Sequence, residues 1–132
     1  MQAELAAIRA LIDALPVVAA VYDVTVPTLP TLPYVIVWDQ GDTASAEVMA
    51  GDDVHALVGI THVAGTPEGV RTVRAAVRAV LDDARPVVPG RSVELHRFDA
   101  RAIEIDNDVT IPNTSTHPAY GVDIYSLTSV PA

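Results

Sequence analysis

Cysteine is absent from this sequence. Disulfides, thiolate metal sites and a cysteine nucleophile are therefore excluded. Lysine is absent too, so all eight basic residues are arginine. A phosphate-cradling loop of the P-loop kind needs that lysine, and Gly65, Gly69, Gly90 and Gly121 do not space into one. The eight arginines face 17 acidic residues, for a formal net charge of −9. Such a balance argues against a protein that wraps nucleic acid, which needs a basic footprint. It is compatible with a surface past which DNA slides without sticking, although plain solubility is the simpler reading. Aromatics make up only 5% of the chain while half of it is apolar, so a packed core must be aliphatic. No apolar run approaches the ~20 residues that span a bilayer. The opening MQAELAAIRALIDAL lacks the basic-then-apolar pattern of a signal peptide. With 132 residues, the expectation is one domain over 1–132 with one core.

The most legible stretch is Thr66 to Ala84. Thr66 precedes Pro67 and is pushed towards extended backbone, which suits an N-cap. Pro67 fits the first helical position and Glu68 the first turn. Val70, Val73, Val77, Val80 and Leu81 recur at helical spacing and form an apolar stripe. Arg71, Arg74, Arg78 and Arg85 fall largely on the other side. Asp82 and Asp83 sit unfavourably for the dipole near the C-terminus, with Arg85 placed to offset them. Pro86, Pro89 and Gly90 stop the helix. This predicts an amphipathic helix lying on a sheet.

Around it, Leu5, Ile8, Leu11, Ile12 and Leu15 predict a short first helix ended by Pro16. Val17–Val26 alternates as a strand. Pro27, Pro30 and Pro33 then leave three positions without a backbone donor. PTLPTLP reads as a rigid connector or edge segment rather than a ligand for a proline-binding domain. Tyr34–Asp39 reads as a buried strand, with Trp38 a core or subunit-interface anchor. Gln40–Asp52 reads as a long polar loop holding at most a short strand near Ala46–Met49. Asp53–Val63 places Val54, Ala56, Val58 and Ile60 on one face and His55, Leu57 and Thr61 on the other. Ser92–Phe98, Ala102–Asp106 and Tyr120–Thr128 complete the strands, with a polar loop at Asn107–His117. The expected class is α/β (α+β): a single mixed or antiparallel sheet, the central helix packed on one face, and a short N-terminal helix.

The chemistry-bearing residues form no site. His55, His62, His96 and His117 contain no H-x-H or H-E-x-x-H pair, and His55 and His62 face opposite sides of their strand. Asp106-Asn107-Asp108 starts like a calcium loop but lacks the glycine and distal glutamate that set its geometry. Asp52-Asp53 and Asp82-Asp83 read as exposed acids. No serine sits in a G-x-S-x-G elbow. No catalytic residue, cofactor or stoichiometric metal is expected.

Taken in order, these features resemble the tail-terminator (tail-completion) proteins of long-tailed bacteriophages. The resemblance rests on the helix ending Ala14-Leu15-Pro16 and on the strand Pro33-Tyr34-Val35-Ile36-Val37. It continues through the acidic entry Asp52-Asp53-Val54-His55 with Val58 and Ile60, then Gly69 with Val73, Val77 and Leu81. It closes on Thr116-His117 before the strand Tyr120 to Leu127. PTLPTLP is longer than that family's usual connector. The resemblance implies a structural virion protein assembled in the host cytoplasm, without membrane or cofactor. It implies a hexameric ring that binds the last ring of tail-tube subunits, stops tube growth and meets the head connector. DNA would pass through its pore without specific binding. Another head–tail joining or tail-tube protein shares these features. A small ligand-binding domain or enzyme is the alternative from a different class, and convergent polar groups in a pocket would mark it. The expected interface residues are Gln40, Asp42, Glu47 and Asp52 in the first polar loop, and Asn107, Asp108, Asn113, Thr114 and His117 in the second. Both loops exceed the ~4–6 residues of most connections.

Overall fold

The structure, a computed structural model, describes residues 1–39 and 53–132 in full and the backbone of 46–47. The element order is α1 (Gln2–Asp13), β1 (Ala20–Asp23), β2 (Tyr34–Asp39), β3 (Ala46–Glu47), β4 (Val54–Ala64), α2 (Pro67–Leu81), β5 (Arg91–Ala100), β6 (Glu104–Ile105) and β7 (Ala119–Pro131). The expected order of helices and strands holds. Among the described residues the strands form one sheet in the order β1-β2-β4-β7-β5. Short β3 pairs β4 beyond the end of β2, and β6 pairs β7 beyond the end of β5. Only β1 and β2 run parallel, so the sheet is mixed.

The alternation read from the sequence fixes which face is buried. Val58, Ile60 and His62 of β4 share a face with Val35 and Val37 of β2 and with Asp123, Tyr125 and Leu127 of β7, through registers such as Val37↔Ile60 and Ile60↔Asp123. Val70, Val73, Val77 and Leu81 of α2 are buried, as are Ile8 and Ile12 of α1. They close a core that is aliphatic apart from Tyr125. Each such side chain contributes roughly 1.5–3 kcal/mol by leaving water. Helix α1 lies against β1, β2 and α2, while α2 lies over β4 and β7. The last five residues of β5 are exposed, and α2 packs chiefly on β4 and β7.

Local chemistry sets the helix ends. The Thr66 hydroxyl accepts from the Gly69 N–H at 3.0 Å, with Pro67 at the start of α2. The helix stops at Leu81, short of the Ala84 that periodicity predicts. The two aspartates unwind it. The Asp82 carboxylate accepts from the Tyr125 hydroxyl at 2.7 Å and pairs with Arg97 at 3.2 Å. Asp83 takes a left-handed backbone, φ 55°, and meets His96 at 2.8 Å. Arg85 turns away to Glu94 at 3.0 Å and does not offset either aspartate. A turn follows in which Arg91 N–H donates to Val88 at 3.0 Å. Its third residue, Gly90, needs φ +75°, which only glycine adopts freely. The first strand is shorter than the Val17–Val26 expected, because Val24 adopts φ 63° and ends it. PTLPTLP then leads into β2 through a cis Leu32–Pro33 peptide.

The second sheet face carries Ile36, Trp38, Leu57, Thr61 and Val122, all half-buried. The Trp38 indole lies across Gly59 of β4, where a Cβ would overlap the ring, and its Nε1–H donates to Thr61 at 2.9 Å. Glycine at 59 is thus a packing requirement of the tryptophan.

Candidate functional site

The strongest polar constellation is one that sequence patterning put on the wrong side. Helical spacing puts Arg74 and Arg78 largely on the side away from the apolar stripe. Both instead reach from the flank of α2 to Asp123, a residue of β7 with no exposed surface. Arg78 binds it in a bidentate fork, Nε to Oδ2 and Nη2 to Oδ1, each 2.8 Å. Arg74 stands 3.6 Å from Oδ1 and donates through Nη2 to the Arg101 carbonyl at 2.8 Å. The glycine at 121 makes this route possible, because a Cβ there would overlap the Arg74 guanidinium. The signal was present in the sequence. Asp123 occupies a core position in the Asp123-Tyr125-Leu127 alternation, and a buried carboxylate requires a cationic partner.

Burial alone would raise the Asp123 carboxyl, but the Arg78 hydrogen bond and the two guanidinium charges outweigh it and hold it below the usual carboxylate range. Arg78 is raised in return by its hydrogen bond to Asp123. Burial, and the charges of Arg78 and Arg97, push Arg74 below the usual arginine range against the pull of Asp123. His62 completes the cluster. Its Nδ1 contacts the Gly121 carbonyl at 3.2 Å and so carries the proton, leaving Nε2 as a buried acceptor without a partner among the described residues. Burial depresses this imidazole to about 4. The other histidines are scattered: His55 is exposed beside Thr128, His96 sits at the surface, and His117 belongs to the second polar loop.

This cluster lacks the parts of a catalytic centre. Among the described residues Asp123 is bound by arginine, and His62 makes its hydrogen bond to the Gly121 carbonyl. Among the described residues no three His, Asp or Glu side chains could jointly hold a metal. A groove of about 450 Å³ near the start of α2 is lined mainly by Val17, Leu32, Pro33, Ala64, Val73 and Ile111, without convergent polar groups. The arrangement pins helix to sheet.

The second polar loop is tied to itself. Asp106 N–H donates to Pro118 and Ile111 N–H to Thr116, each at 2.9 Å. The His117 Nδ1–H donates to the Val109 carbonyl at 2.6 Å, and the Thr114 hydroxyl to the Ile111 carbonyl at 2.7 Å. Asp108 N–H closes a turn on the Asp106 carboxylate at 3.2 Å, and Asn113 takes φ 64°. Of the expected interface residues, Asn107, Asp108, Asn113 and Thr114 are exposed and His117 is half-buried. They share this one loop. Gln40, Asp42 and Asp52 lie outside the described residues, and Glu47 falls in β3, where only the backbone is described.

Two helices and one mixed sheet make this an α+β fold. The chain belongs to the family Tail completion protein gp17, whose match spans residues 2–111. This is a family of structural components of the virion tail, not of enzymes. Among solved structures, a chain from "Virion of native gene transfer agent (GTA) particle" superposes with a TM-score of 0.68 at 19% identity, covering 96% of this chain and 94% of that chain. At that identity the likeness shows a shared fold. A comparison with curated proteins finds no match.

Proposed function

We propose that this tail completion protein forms a ring, a hexamer, that caps the tail tube, ends its elongation and presents its opposite face to the head connector. The family match over residues 2–111 carries this reading. A chain of the same fold occurs in a particle described as a gene transfer agent virion, which is in keeping with assembly into a tailed particle. The net charge of −9 suits a pore past which DNA slides without binding. The two polar loops, Gln40–Asp52 and Asn107–His117, are the surfaces we assign to contacts with the neighbouring subunit and the tail tube. The second is hydrogen-bonded within itself, which limits the conformational entropy lost when it docks.

The test adds purified protein to polymerising tail-tube subunits and measures tube length and end structure. Arrested tubes with a ring-shaped cap support the proposal. Tubes of undiminished length with bare ends overturn it. Shortening residues 109–116 to a tight turn should leave the chain folded and abolish capping. A shortened protein that still caps removes this loop from the interface.

A further inference from the structure

Charge is unevenly spread in this acidic protein. Residues 1–70 hold one arginine and nine acids, whereas residues 71–132 hold seven arginines and eight acids. The fold turns that division into two distinct edges. Arg71, Arg74 and Arg78 follow one another along one flank of α2 at helical spacing. Arg97 and Arg101, at and just beyond the open end of β5, extend the same flank. Asp123 and Asp82 engage Arg74, Arg78 and Arg97. The exposed side chains of Arg71 and Arg101 have no partner among the described residues. Phe98 lies on the same strand end, 67% exposed.

The other edge of the sheet is β1, beside α1. It presents Asp13, at the end of α1, and Asp23, at the end of β1, both exposed. Arg9, a cation on α1, approaches Asp23 at 3.5 Å. β1 and β5 are opposite ends of the strand order, so the two edges point away from each other. Two complementary surfaces at opposite ends of one subunit cannot pair within it. Pairing head to tail between copies is the arrangement that closes into a ring.

We infer that the α2–β5 arginine flank is a docking surface for a second copy of this chain, and that its occupant is the acidic α1–β1 edge of that copy. The partner's helix α1 then covers the exposed stretch of β5, with Phe98 at the seam. This rests on the ring reading and adds to it which edges meet.

Charge exchange tests it. One variant carries Arg71→Glu and Arg101→Glu, the other Asp13→Arg and Asp23→Arg. All four side chains are exposed, and melting temperatures check that both variants fold. Association is measured by sedimentation, at low and high salt, and by counting capped tail tubes. Each variant alone sets like charges against each other and should associate at least about tenfold more weakly than wild type. Mixed in equal amounts they should recover to within roughly threefold, because each edge then meets its opposite charge in an alternating ring. Folded variants that assemble singly as well as wild type overturn the assignment of edges and leave the ring reading standing. So does a mixture that fails to recover. Wild-type protein that stays monomeric both alone and on tube ends overturns the ring reading, and this inference with it.

Discussion

Arg78 on the flank of α2 holds the carboxylate of Asp123 in β7 through two parallel 2.8 Å hydrogen bonds. The pair fixes where the helix sits along the sheet. An apolar stripe alone would tolerate sliding by a turn, whereas a bidentate fork tolerates little displacement. Replacing Asp123 by Asn leaves two guanidiniums facing a site with no counter-charge. Urea unfolding should show a loss of about 2–4 kcal/mol. Arg85→Ala, which breaks the exposed pair with Glu94, should cost no more than roughly 1 kcal/mol.

His62 makes stability depend on pH. Its imidazole titrates near 4 in the folded chain, below the ordinary value of 6.5. The unfolded chain therefore binds the proton first as pH falls. This contribution is complete above the unfolded value and is lost progressively as pH drops through 6.5 towards 4. The depressed Asp123 carboxyl acts in the same direction at lower pH. Between pH 7.5 and 5 the histidine accounts for about 2 kcal/mol. His62→Gln should flatten the dependence in that window by about this amount in urea titrations. An unchanged slope would show that His62 is not buried neutral.

Gly59 makes room for Trp38, the one tryptophan in the chain. Gly59→Ala should displace the indole, break its hydrogen bond to Thr61 and destabilise by about 1–3 kcal/mol. Emission should shift to the red, and with a single tryptophan the spectrum reports this site alone.

Much of this fold is legible in the sequence because its periodicities are clean. Thr66-Pro67 announces α2, and the stripe from Val70 to Leu81 identifies the face that is buried. The strands Tyr34–Asp39 and Asp53–Val63 fall within a residue or so of their positions. What escapes is tertiary. Arg74 and Arg78 look like solvent-facing charges until the sheet supplies Asp123. The end of α2 depends on Tyr125 and Arg97, which stand far along the chain. Val24 ends β1 by a left-handed backbone that valine's composition statistics argue against. The Asn107–His117 loop is readable as polar and long, but its internal bonding is not.

Val77 tests the placement of the central helix. It has no exposed surface. Val77→Asp buries a charge without a partner and should leave the protein unfolded or aggregated, at a cost well above about 3 kcal/mol. A soluble variant with an unchanged melting curve would contradict this packing.

Tail length reads out the proposed role of this tail completion protein in ending tail growth. Particles assembled without the protein are imaged by electron microscopy and their tails measured against those made with it. Without it, tails should be overlong with a broad length distribution and unjoined to heads, and supplying the wild-type chain should restore uniform length. Tails of normal, uniform length joined to filled heads in its absence would contradict it.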